Sequence, residues 1–406
     1  MKTRRWIVFG STAFLLTSIL PNPVSGAGPE LSGRTSTVIE WYGTGNDETA
    51  VPVYQYLLLN AKNLDQAGMN FRGYGRVATD LSNEDDVDSR LYYAYLEKNG
   101  IADKLDLKLG RQFLATTAGA SVMDGLNLTY KNLGPFRVSL FGGGDVVYYE
   151  GYDAQDLMGG GEIRATFLKD LDLGVSYLQK WQDSDPTHKL IGFDADYTYR
   201  SLLDLYGELQ VNYLSDTISY ALGGINYHRH PKWSLRTEYL YSLPVFSASS
   251  IYSVFATSQY QEVMGELTYR LALGLNSFLR YQHEIYEEFS NADVVEVGLE
   301  KIRTERFSGY VSAIYRNDDD GQDLTGFKIH GAYLVVDNLQ CGLGANVDVL
   351  ERRIDFDEDE TTSERYWADV DYSFTRKVGV QGKIERVTSD LWDEYYRGQV
   401  RMNMSF

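Results

Sequence analysis

The chain of 406 residues contains one cysteine, Cys341. An internal disulfide framework, a Cys-rich zinc site and haem attachment through C-x-x-C-H are therefore excluded. Proline is scarce at 8 residues while glycine reaches 38 without a collagen period, so neither a collagen-like nor a Pro-rich disordered chain fits. Basic residues are outnumbered, 38 against 57 acidic, for a formal charge of −19. That is the wrong sign for neutralising nucleic-acid phosphates. After the first 27 residues no apolar run approaches the ~18 residues of a spanning helix, so the chain is either soluble or a β-barrel.

What is present begins with a leader. Lys2, Arg4 and Arg5 form a basic start, Trp6 to Leu20 an apolar stretch, and Val24-Ser25-Gly26-Ala27 a small-residue cleavage region. Residues 1–27 read as a secretory signal peptide, because the stretch is shorter than the ~20 residues of a membrane anchor. Its removal takes three positive charges and moves the formal balance from −19 to −22.

Periodicity decides between soluble and membrane. In the last twelve residues Tyr396, Val400, Met402, Met404 and Phe406 share one face, and Arg397, Gln399, Arg401, Asn403 and Ser405 the other. The same period of two runs through Leu203 to Leu214, where Leu203, Leu205, Leu209, Val211 and Tyr213 alternate with Asp204, Glu208, Gln210 and Asn212. It recurs in Leu339 to Leu350 and in Lys377 to Thr388, with Val378, Val380 and Ile384 opposed to Gln381, Lys383 and Glu385. About 22 such segments, the first and weakest at Thr35 to Tyr42, have the length that tilted strands need to cross a bilayer; boundary error leaves 18 or 20 open.

The connections between segments alternate long and short. The long set includes Gly43 to Val53, Asp80 to Asp88, Leu114 to Asp124, Gly143 to Gly159, Gln182 to His188, Leu243 to Ser258 and Glu351 to Ser363; the short set includes Leu133-Gly134, Lys169-Asp170, Ala272 to Gly274 and Asp337-Asn338. Ser215-Asp216 interrupts the alternation. This asymmetry predicts an all-β, transmembrane, antiparallel up-and-down β-barrel over 28–406, with short periplasmic turns, long extracellular loops and an even strand number. Closure follows from lipid, where only a sheet without edges pairs every backbone amide. Aromatics near strand ends, namely Trp41-Tyr42, Tyr54, Tyr56, Tyr92-Tyr93, Trp181, Trp233, Tyr239, Tyr241, Trp392 and Tyr395-Tyr396, are expected to form interfacial girdles.

The run Met69-Asn70-Phe71-Arg72-Gly73-Tyr74-Gly75-Arg76, then Arg90 to Leu96, Leu107 to Phe113 and Asp124-Gly125-Leu126, resembles the amino-terminal strands of Gram-negative outer-membrane porins. Gly110-Arg111-Gln112 followed by Asp124-Gly125 is similar to porin families that include phosphate-selective and alginate-export barrels. Pro244 to Phe255 resembles the porin-like barrels of metal-reducing bacteria, some of which sheath multihaem cytochromes. The resemblance implies an outer-membrane location, and a terminal aromatic, Phe406, that the barrel-assembly machinery reads.

A lumen this wide contains water, a plug or a partner. The faces opposite the apolar ones supply Arg72, Arg76, Arg236, Glu238, Arg280, Glu284, Lys383, Glu385, Arg397 and Arg401 as candidates for ion selectivity,. Arg111 shares parity with Leu107 and Leu109 and is expected at the rim, where a charge escapes the cost of the bilayer midplane. The uncharged Leu243 to Ser258 loop and the Gly143 to Gly159 loop are candidates for narrowing the mouth. Three acidic runs, at 83–88, 318–323 and 355–360, lack the order of an EF-hand and read as solvated loop tips bridged to lipopolysaccharide by divalent ions. Five His and no G-x-S-x-G motif give no catalytic constellation, and no cofactor or dedicated metal site is expected. The expected function is a porin-like channel for small hydrophilic solutes or ions; the alternative is a sheath for multihaem cytochromes.

Overall fold

A computed structural model describes residues 29–43, 48–65, 68–82, 86–148, 151–228, 230–244, 259–287, 290–319, 323–347, 363–389 and 394–406. The expected leader, most of the uncharged loop (245–258), the acidic run at 355–360 and Trp392 lie outside the described residues.

The strands form one closed antiparallel barrel of 22 strands, with no helix among the described residues. Each strand pairs with its neighbours in the chain, and the circle closes where Glu30–Gly43 meets Tyr395–Ser405, in register from Arg34 opposite Ser405 to Tyr42 opposite Arg397. Two backbone bonds finish the seam: Gly33 N donates to the Phe406 carbonyl at 3.2 Å and Phe406 N to the Gly33 carbonyl at 3.1 Å. A Cβ on Gly33 would collide with the Phe406 ring, so the seam needs glycine there for close approach. The two-residue segment Thr49–Ala50 folds back on Tyr42 and Gly43 and is not a wall strand.

At the end where the first strand begins and the last one finishes, two to six residues separate successive described strands; at the other end two to 17 do. Two expected long loops are corrected. Leu105–Thr116 and Gly119–Leu133 continue as strands to a two-residue turn at Thr117-Ala118, and Leu171–Gln182 and Asp185–Tyr199 meet at Asp183-Ser184. Both Asp183 and Ser184 have positive φ, 50° and 76°, as a tight hairpin with the right-handed strand twist requires. The Gly143 to Gly159 loop shrinks likewise, because strands run to Val147 and restart at Asp153.

Alternation sorts the two faces. Leu267, Leu279, Val297, Leu343, Ile384 and Val400 lie on the outer surface, Leu343 with 70% of its surface exposed, which suits contact with hydrocarbon. Tyr239, Tyr281, Tyr333 and Tyr396 are also exposed on that side. Tyr42, Tyr54, Tyr56, Tyr92, Tyr93 and Tyr395 depart from the expected girdle: Tyr42 is registered opposite Arg397 and Tyr93 opposite Tyr74, and Tyr395 alternates in phase with Arg397. Tyr54 is registered opposite Val38, which is 1% exposed, and Tyr56 opposite Ser36 and Arg76, so their rings face the lumen. Tyr92 is the extra residue of a bulge between Tyr74↔Tyr93 and Gly75↔Leu91. The bulge turns its ring onto Tyr74, with centroids 4.9 Å apart,.

The seam yields a test. Deleting Phe406 removes both terminal hydrogen bonds and the ring against Gly33, so the yield of folded barrel falls, read as loss of heat-modifiable migration on gels. Unchanged migration would contradict a role for this residue in closing or assembling the sheet.

Candidate functional site

One hairpin leaves the wall. Leu105–Thr116 pairs with Arg90–Ile101 only as far as Ala94 opposite Arg111. Its own hairpin with Gly119–Leu133 continues from Gln112↔Met123 to Thr116↔Gly119. The tip, freed on that side, turns into the bore and seats on three other strands. Ala118 N donates to Ser176 Oγ at 2.8 Å, Thr117 Oγ1 donates to Asp194 Oδ1, and Gln210 Nε2 donates to the carbonyl of Ala118 at 3.0 Å. Nearer the base, Lys180 Nζ reaches Ser121 Oγ at 2.9 Å and Asp145 Oδ2 at 2.9 Å.

Apolar packing backs these bonds. Leu114, Ala118 and Met123 of the hairpin join Phe141, Met158, Leu178 and Leu190 of the wall in a buried cluster. A large side chain so buried contributes roughly 1.5–3 kcal/mol, which explains apolar residues on the lumen side of an aqueous barrel. Glycine makes the seat possible: a Cβ on Gly192 would collide with the backbone of Thr117 and Ala118. It also makes the bend possible. Gly110 holds φ at 122°, a conformation that favours glycine, and lies opposite Gly125; a Cβ on Gly125 would strike the Gly142 carbonyl and Gly143 Cα.

Arg111 fastens the base. Its Nε and Nη2 donate to the two oxygens of Asp124 at 2.8 and 2.7 Å, a bidentate pair,. Nη1 donates to the carbonyls of Leu91 at 3.1 Å and Tyr152 at 2.9 Å. Tyr152 belongs to the connection between Phe136–Val147 and Asp153–Phe167, and burial raises its phenol pKa. Arg111 thus sits at the rim opposite the chain termini, and the register from Lys98↔Leu107 to Ala94↔Arg111 carries no shift.

The ten candidate lumen residues all lie on the inward face, and most are neutralised there. Arg72 pairs with Glu97 at 3.0 Å, and Arg236 with Glu238 at 2.6 Å. Arg280 bridges Glu266 at 2.6 Å and Glu296 at 3.0 Å. Glu284 faces Arg316 at 3.3 Å, and Glu385 is held by both Lys383 and Arg397. Two differ. Arg76 packs over the Tyr54 ring at 4.6 Å and donates to the Asp88 carbonyl; Arg401 has a buried Nε with no hydrogen-bond partner.

Charge is unevenly spread around the bore. Arg34, Arg72, Arg76 and Arg401 line the wall around the seam, whereas Glu162, Asp172, Asp194, Asp196 and Asp204 line the wall that receives the hairpin. Arg164 offsets part of the latter through Glu162 at 2.9 Å and Asp194 at 3.1 Å. The sequence alone singles out neither the in-turned hairpin nor Arg34, and it gives Tyr74 only as part of the porin-like run, not as a lumen residue. A signal for the hairpin is the glycine stripe at 110, 125, 142–144 and 159–161, of which only the part from Gly143 to Gly159 reads as a loop from sequence.

No protein-family model matches the sequence, and no curated protein matches it. Similarity to solved structures is extensive. The siderophore receptor PirA from Pseudomonas aeruginosa is 11% identical with a TM-score of 0.59, over 95% of this chain and 81% of that one. The copper transporter OprC gives 11%, 0.59, 95% and 82% on the same measures, and the translocation pore of the P pilus usher PapC gives 8%, 0.50, 93% and 99%. At these identities the likeness establishes the fold, that of outer-membrane β-barrels.

The seat is tested by filling it. Gly192→Val adds atoms where the hairpin backbone lies, an overpacking that costs about 1–3 kcal/mol, and should unseat the tip and speed sugar entry in liposome swelling. Gly207→Val, where an added Cβ meets nothing closer than 3.5 Å, serves as the control. Equal swelling rates for the two variants would contradict a seated hairpin.

Proposed function

We propose that this protein is an outer-membrane channel that passes small hydrophilic solutes or ions through a water-filled lumen. The observation that carries the reading is the hairpin tip at Thr117-Ala118, seated against Ser176 and Asp194 inside the bore. Barrels of this strand number enclose more space than wall side chains can fill, and large ones use a plug. Here a short stretch of the wall's own chain narrows the bore and leaves charged residues lining the remainder. Fixed charges of both signs along such a path tune which ions pass. Siderophore reception, copper transport and translocation are properties of PirA, OprC and PapC; what this chain takes from them is the barrel.

A sheath for cytochromes has the same outer face, but a polypeptide threaded through this barrel would have to displace the hairpin from its hydrogen bonds and its apolar seat. Channel function is also the natural use of ion pairs such as Arg280 with Glu266 and Glu296, which keep a polar wall hydrated without a partner. Reconstitution of the purified protein alone into planar bilayers is the test. Stable stepwise currents are expected, and a silent barrel that conducts only with a bound protein partner would contradict the reading.

A further inference from the structure

We propose that the lumen wall beside the seam binds a small organic anion carrying a single planar ring. The inference deepens the channel reading by naming a ligand class, and depends on it only for how the ligand arrives. A cavity of about 320 Å³ opens on the bore between Arg34, Tyr56, Leu58, Tyr74, Tyr92 and Arg401. It lies across the seam: Arg34 comes from the first wall strand, Arg401 from the last, and Tyr56, Leu58, Tyr74 and Tyr92 from the three wall strands that follow the first.

Its charge is uncompensated. No carboxylate lines the cavity, and among the described residues neither Arg34 nor Arg401 forms an ion pair. The acids on these strands lie outside the cavity lining: Glu97 is paired with Arg72 at 3.0 Å, and Glu40 accepts a hydrogen bond from Gln399 Nε2 at 2.5 Å. Arg401 Nε is buried with no acceptor, although buried polar groups are ordinarily bonded. In a chain with 57 acidic and 38 basic residues, two arginines kept clear of carboxylates point to an anion as their partner. Guanidinium forks match carboxylate oxygens bidentately.

The remaining walls specify the ring. Tyr56, Tyr74 and Tyr92 form a row with successive centroids 6.1 and 4.9 Å apart and interplanar angles of 17° and 22°. Because these rings stack on one another, a bound ring meets the edges and the outer ends of the row, and edge-to-face contact between aromatics is worth roughly 0.5–1.5 kcal/mol beyond the area buried. The cavity volume lies at the low end of small-molecule sites, which run about 300–1,000 Å³, a size that one ring with one acidic group fills.

The test is calorimetric titration of the full-length barrel in detergent micelles with benzoate, cyclohexanecarboxylate and inorganic phosphate. Benzoate is expected to bind more tightly than either of the others. Arg401→Gln and Arg34→Gln, each checked for heat-modifiable migration, should each weaken benzoate about tenfold, the equivalent of ~1.4 kcal/mol. Tyr74→Leu should reduce the preference for benzoate over cyclohexanecarboxylate. Absence of benzoate binding, or equal binding by the wild type and both folded arginine variants, overturns the site. Binding in micelles needs no conduction: a barrel that binds benzoate but is electrically silent keeps the site and loses the channel. One that conducts without binding benzoate keeps the channel and loses the site.

Discussion

Everything in this molecule depends on the pairing of backbone amides in a medium that offers no water. Each unpaired N–H or C=O in hydrocarbon costs several kcal/mol, and a sheet escapes that cost only by joining its last strand to its first. The register from Arg34↔Ser405 to Tyr42↔Arg397 is that junction. Once it is made, the period of two along every strand has a fixed meaning: one parity faces lipid and the other the bore. Leu343 and Ile384 are exposed for the same reason that Arg280 and Glu385 are internally paired.

The hairpin at 112–121 shows what closure leaves free. Its strands still pair with each other, so the backbone stays satisfied after they leave their neighbour. What the departure needs is room, and glycine supplies it at both ends of the movement. Gly110 and Gly125 accommodate the bend, and Gly192 lets the tip lie against the opposite wall. Arg111 then fixes the base by saturating Asp124 and two carbonyls. Wall, bend, clamp and seat form one mechanical unit, and the width of the bore follows from where it rests.

Much of this was legible in the sequence. The opposition of Val378, Val380 and Ile384 to Gln381, Lys383 and Glu385 is a local property of strands, and it put each of these residues on the face that the barrel gives it. Arg111 was assigned to the rim on the energetic cost of a charge in lipid, and its partners lie there. The hairpin was not legible because Leu114 to Asp124 reads as a long connection, and nothing in Leu114 or Met123 alone tells that their partners lie across the lumen. Tyr54, Tyr56 and Tyr92 were misassigned to a girdle for a related reason. Aromatic residues near a strand end suit either face, and only register with Ser36, Val38 and Arg76, together with the bulge at Tyr92, places them inside. The short turns at Thr117-Ala118 and Asp183-Ser184 escaped because small and polar residues mark a turn without fixing its length.

The seating of the hairpin tip inside the bore is the claim on which the permeation account rests, and cross-linking reads it directly. In a Cys341→Ser background, cysteines placed at Ala118 and Ser176, whose N and Oγ atoms are 2.8 Å apart, should form a disulfide on mild oxidation in membranes. The bond would appear as a shift in migration that reductant reverses. Failure of that pair to cross-link in folded barrels, while cysteines at wall neighbours such as Leu267 and Leu279 do so, would contradict the in-folded hairpin.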